Sequence, residues 1–93
     1  MQYVLIIHEV DAYPAWKIFF DQAACIRKNA GEISYQLLRY DNAANTIVHF
    51  SEWSSLDNAR RFFESQEVVE IRKKAGVKAP DFIYLHEIES GVL

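Results

Sequence analysis

EISYQLLRY, DNAAN and TIVHFSEW follow one another over residues 32–40, 41–45 and 46–53, and the rest of the chain is arranged around this run. Its flanks are rich in β-branched, aromatic and aliphatic residues and its middle in turn formers. The pattern predicts a hairpin of two strands, Glu32–Tyr40 and Thr46–Trp53, joined through Asp41–Asn45. On either side the periodicity changes to that of a helix. From Pro14 to Ala30, Trp16, Phe19, Phe20, Ala23 and Ile26 recur at three- and four-residue spacing. Pro14 suits the first turn, Arg27 and Lys28 suit the negative C-terminal end, and Gly31 is the natural stop. Downstream, Ser54 or Ser55 caps a helix over Leu56, Ala59, Phe62 and Phe63. Ser65 interrupts that helix and caps a second piece, with Val68 and Ile71 inward, which Gly76 ends.

The outer strands complete the pattern. Gln2 to Val10 carries Tyr3, Val4, Leu5, Ile6 and Ile7 without a polar break, which predicts a strand covered on both faces. Pro80 opens a last strand over Asp81–Glu89. The order is therefore βαββαβ, two right-handed crossovers around a central hairpin. It predicts a single α+β, ferredoxin-like domain over residues 1–93. Its antiparallel four-stranded sheet should run in the order fourth, first, third, second, with the helices on one face.

Apolar residues make up 51% of the 93 positions and aromatic ones 14%. That is rich for a chain expected to bury only about 60–65% of its unfolded surface. The helices cover one sheet face. The other also carries residues from Val4/Leu5, Leu37/Leu38, Val48/Phe50 and Ile83/Leu85, more than the few hundred Å² a monomer leaves exposed. Packing two such sheets together removes the excess, so a homodimer through the sheet face is expected. Ten basic and thirteen acidic residues give a net charge of −3, and no basic stripe exists to neutralise phosphates, which argues against a nucleic-acid partner. Thr46–Phe50 also lacks the glycine-and-aromatic signature of RNA-binding sheets. No apolar run approaches the ~20 residues of a membrane span, and the N-terminus shows no basic region or cleavage site. The expectation is a soluble, cytoplasmic protein with no membrane partner. Cys25 has no partner for a disulfide or a metal and reads as an inert packed thiol on the small apolar side of a helix.

Several scattered segments carry a resemblance: His8-Glu9-Val10-Asp11 with Trp16 and Phe20-Asp21; Arg27 with Gly31; Trp53 before Ala59 and Phe62; and Ala75-Gly76-Val77 with Pro80. Together they make the chain resemble the small dimeric α+β-barrel proteins of the antibiotic-biosynthesis-monooxygenase type, especially their cyclase-like members. The resemblance implies a dimer whose sheets close a barrel, with a pocket in each subunit. It also implies chemistry ranging from cofactor-free oxygenation to haem degradation. The haem-degrading members place their ligand histidine on the second long helix. No histidine occurs between Ser54 and Lys74, so haem is not expected.

Candidate chemistry rests on a few side chains. His8, His49 and His86 all fall on strands that should be neighbours. His8 is the candidate catalytic residue, a neutral imidazole able to take a proton from a substrate carbon or hydroxyl. Strand parity leaves open which face the histidines occupy. Asp11, Trp16, Tyr35, His49, Trp53, Tyr84 and His86 are candidate substrate-binding residues: Asp11 for orientation, the tryptophans as walls, the tyrosines as hydroxyl donors. Asp11 also reads as a turn or cap, Arg27 as a surface or interface residue, and Arg72–Lys74 as a solvated face. No metal site is expected. With no nucleophile elbow, phosphate loop or dinucleotide fingerprint, the expected function is a small-molecule enzyme without organic cofactor. It would be an oxygenase or an isomerase/cyclase, acting on a hydrophobic enolisable or phenolic substrate. The alternative is a homodimer that binds a small hydrophobic ligand, or serves as a scaffold, without catalysis.

Overall fold

The computed structural model describes residues 1–93. The elements are β1 (Gln2–Val10), α1 (Tyr13–Gln22), α2 (Ala24–Ala30), β2 (Glu32–Tyr40), β3 (Ala43–Trp53), α3 (Leu56–Glu64), α4 (Gln66–Lys74) and β4 (Val77–His86). All strand pairs are antiparallel and the order is β2-β3-β1-β4, the ferredoxin-like sheet expected from the hairpin and its crossovers.

The local chemistry follows the sequence at most boundaries. Ser55 Oγ accepts the N–H of Asn58 at 3.0 Å to cap α3, and Ser65 Oγ accepts that of Val68 at 3.3 Å to cap α4. Gly31, at φ +124°, closes α2 in a conformation few other residues adopt. Three boundaries differ. The helix expected over 14–30 is two helices, broken at Ala23 (φ −87°, ψ 3°), where neither glycine nor proline marks the change of direction. The hairpin turn contracts to Asp41-Asn42 because β3 starts at Ala43. The last strand runs from Val77 to His86 rather than from Asp81 to Glu89, with Pro80 inside it. Proline is tolerated there because β4 is an edge strand, and the ladder is already irregular opposite Ile7–Glu9, where Ala79 takes φ 41°. Cys25, expected to be packed, is exposed.

One sheet face is covered by the helices. Val4, Ile6, His8 and Val10 of β1 point into it, as do Ile47, His49, Ser51 and Trp53 of β3. The apolar members separate into two cores. One gathers Val4, Ile6 and Trp53 under Leu56, Ala59, Phe63 and Val68; the other gathers Val10 and Ile47 with Trp16, Phe20 and Ala75. The opposite face is open. Leu5 lies between Phe50 and Ile83, Ile7 beside Val48, and Val48 beside Leu38, forming a continuous apolar surface. Ile83 and Leu38 remain 41% and 47% exposed. Val4 and Leu37, grouped with this face in the sequence reading, belong to the helix side.

Trp53 is 2% exposed and donates its indole N–H to Ser51 Oγ at 2.8 Å, so it anchors the first core by packing and by a hydrogen bond. Trp53→Ala is expected to lower stability by about 3–5 kcal/mol, read from the urea midpoint.

Candidate functional site

Between the two apolar cores the helix-facing rows of β1 and β3 turn polar. His8 and His49 occupy adjacent strands there, and α1, α2, α3 and α4 arch over them. The space enclosed is about 60 Å³, and its lining includes His8, His49, Trp16, Phe20, Arg27 and Arg72. It lies between the helices and the sheet of one chain, not on the open face where a second sheet would pack. That placement settles the parity question for His8 and His49.

His8 is 5% exposed, and neither ring nitrogen has a hydrogen-bond partner. Its neighbours are rings: Trp16 at 5.3 Å and His49 at 6.5 Å between centroids. An imidazole in such surroundings resists charging. Burial, followed by the positive potential of His49 and Arg72, pushes its pKa from 6.5 down to about 3. A buried polar side chain left without partners costs stability, and such groups concentrate where a ligand supplies the missing contact.

His49 is the opposite case. Its Nε2 lies 2.8 Å from Glu32 Oε2, and Glu32 Oε1 accepts from an Arg27 guanidinium nitrogen at 2.6 Å. Arg27 also donates to the Phe20 carbonyl at 3.1 Å and lies against the face of the Phe20 ring, 3.7 Å from its centroid. The side chains of this trio are at most 6% exposed. Arg72 closes the other side. It donates to the Phe63 carbonyl at 2.9 Å and faces the Phe82 ring, with no carboxylate within ion-pair distance. A neutral imidazole with free nitrogens, a carboxylate-backed imidazole and an uncompensated guanidinium around one apolar space can move a proton and steady the resulting anion.

Of the residues singled out from sequence, His8, Trp16 and His49 line the cavity. Tyr35 sits edge-on to Phe20 and His49 at its margin but is 52% exposed. Trp53 lies in the neighbouring core, and Tyr84 packs beside it with Arg60 over its ring. His86 is exposed at the end of β4, so the three histidines do not converge. Asp11 is exposed and pairs with Lys78 at 2.9 Å instead of orienting His8. Its side chain caps no helix either, since Ala12 precedes α1 without a side-chain cap. Arg27, Glu32 and Arg72 are the additions. Arg27 is buried, not a surface residue, and Arg72 is half-buried rather than part of a solvated face. Strand parity gives no hint of Glu32 pointing inward with Tyr35 and Leu37. The ladder irregularity between Glu32 and Ser34 turns it there.

No protein-family model matches the chain, and no curated protein matches it in sequence. Solved structures do. SnoaB, a cofactor-independent oxygenase from Streptomyces nogalater, superposes with a TM-score of 0.77 at 15% identity, covering 96% of this chain and 94% of its own. Rv0793 from Mycobacterium tuberculosis gives 0.69 at 16% identity, over 99% of this chain and 100% of its own. An antibiotic biosynthesis monooxygenase gives 0.68 at 11% identity, over 96% of this chain and 100% of its own. At these identities what is shared is the fold, and it is the fold that the sequence resemblance implied.

The buried state of His8 has a pH signature. The unfolded chain takes up this proton near pH 6.5 and the folded chain only near 3, so the folded state loses stability as the pH falls through that window and keeps it above. The slope from this group is at most about 1.4 kcal/mol per pH unit. His8→Phe should flatten that limb and leave the protein at least as stable as the wild type at pH 7, measured by urea unfolding across pH.

Proposed function

We propose that the protein is a small-molecule enzyme that acts on a hydrophobic, enolisable or phenolic substrate held between helices and sheet, with His8 as the catalytic residue. The observation that carries this reading is the unpartnered His8 imidazole facing a cavity whose cation, Arg72, is also uncompensated. An imidazole held neutral keeps its lone pair free at every physiological pH. Its low basicity restricts it to acidic C–H or O–H bonds, those whose anion a guanidinium and aromatic walls can steady.

The substrate C–H bond breaks, its proton passes to a His8 nitrogen, and the electron pair delocalises onto the substrate oxygen beside Arg72. Molecular oxygen then accepts the electron pair of the carbanion and forms a C–O bond, giving an alkylperoxide anion that regains the proton to become a hydroperoxide. Loss of water leaves a carbonyl, so one substrate methylene and one molecule of oxygen become one carbonyl and one water. The substrate itself is the reductant and no organic cofactor is needed. Reprotonation at another carbon, or attack on an internal carbonyl, gives an isomer or a ring instead. The description of SnoaB as a cofactor-independent oxygenase supports the oxygenase branch.

Sites for organic substrates enclose about 300–1,000 Å³. The present 60 Å³ is far below that, so binding parts the short helices at their breaks, Ala23 and Ser65, the first of which borders the cavity. The open sheet face supports a homodimer, because two copies packed through Leu5, Val48, Phe50 and Ile83 would remove the exposed apolar surface from water.

Oxygen uptake and product mass, followed with a panel of 1,3-diketones and naphthols, test the enzyme. Turnover by the wild type and a loss of at least about 100-fold in His8→Ala are expected. Full activity in that variant, or tight binding with no conversion, contradicts the reading. Light scattering should give a dimer at micromolar concentration and a monomer for Phe50→Asp; a wild-type monomer rules the interface out.

A further inference from the structure

Building on the enzyme reading above, we propose that His49 is the second proton site of the cavity and that Glu32, held by Arg27, is its positioning residue. The Glu32 carboxylate is divided between two partners, His49 Nε2 at 2.8 Å and Arg27 at 2.6 Å. Arg27 is in turn fixed by the Phe20 carbonyl at 3.1 Å and by the face of the Phe20 ring. A carboxylate held this way cannot rotate off the histidine. An ionised carboxylate only accepts, so Nε2 carries the hydrogen and Nδ1 is left as the acceptor of the ring.

The His8 and His49 rings lie 6.5 Å apart between centroids and are inclined by only 21°, and the relay places one water molecule between them. A proton taken by His8 passes through that water to His49 Nδ1. The water gains one proton and gives up another, His8 returns to its neutral form, and the new imidazolium charge is offset by Glu32. The proton travels back when the product anion is quenched. Other groups facing His49 are Tyr35 from β2, 6.2 Å away between ring centroids, and Arg27 from α2; Arg72 of α4 lies on the His8 side. Glu32 is the only carboxylate within ion-pair distance of either histidine. The low affinity of His8 for a proton makes such a second acceptor useful, because the first one discharges at once.

Glu32→Gln tests this by keeping the shape and removing the charge. The expected result is a kcat lower by at least about 100-fold with KM within about threefold, together with an altered pH–rate profile. Unchanged kcat and pH profile overturn the relay while leaving the enzyme reading intact; absence of turnover in the wild type overturns both. Because Glu32→Gln leaves Arg27 buried without its partner and can unfold the chain, the second measurement uses the wild type. Imidazole nitrogen NMR should show His49 carrying hydrogen on Nε2, with Nδ1 bare. A bare Nε2 contradicts the positioning role directly.

Discussion

A carboxylate buried beneath a helix must be compensated on both of its oxygens, and the packing around Glu32 is arranged to do that. Arg27 comes down from α2 and His49 across from β3, so one side chain at the start of β2 ties three elements together. Desolvating such charges consumes much of what their attraction returns, and an apolar substitute of similar volume often folds as well or better. The arrangement is therefore poorly explained by stability alone. Its consequence is local: one histidine of the cavity is held in a defined orientation, and its neighbour His8 is left in an apolar setting with nothing to bond to.

The two faces of the sheet divide the work. The helix face contains two separate apolar cores with a polar seam of His8 and His49 between them. The open face is apolar throughout its middle and carries no histidine. Association through the open face leaves the seam untouched, so the proposed dimer and the proposed chemistry do not compete for the same side chains. Helix breaks at Ala23 and Ser65 make the roof of the seam out of four short pieces instead of two long ones, and short helices draw most of their stability from tertiary packing. The roof is consequently the part of the fold best able to rearrange around a ligand.

The fold was legible because its signals are local. The β-branched, aromatic and aliphatic richness of 32–40 and 46–53 about a turn-rich middle, the helical spacing from Trp16 to Ile26 and the serine caps at Ser55 and Ser65 each state a local preference that the packing also satisfies. Strand ends at Ala43 and Val77 were missed because an alanine-rich turn and an X-Pro segment look irregular, yet Ala43 pairs with Tyr40 at the hairpin end and Val77 with Val10 on the edge strand. For the site, type and strand identified His8 and His49, but not their face, since Val4–Ile7 is apolar on both parities. Glu32 escaped because a ladder irregularity reverses its direction. Arg27 escaped because a basic residue in a last helical turn ordinarily answers the helix dipole in solvent. Asp11 was drawn toward the site by its nearness to His8 in sequence, while the end of β1 carries it out to Lys78.

The proposed chemistry requires ligands to bind between helices and sheet, against His8, and not between the sheets of two subunits. A crystal structure with 1-naphthol bound distinguishes the two places. The phenol oxygen is expected within about 3.2 Å of a His8 nitrogen, with Arg72 on the same oxygen and the helices displaced outward. A naphthol seated on the open sheet face, with the His8 nitrogens still unpartnered, would contradict it.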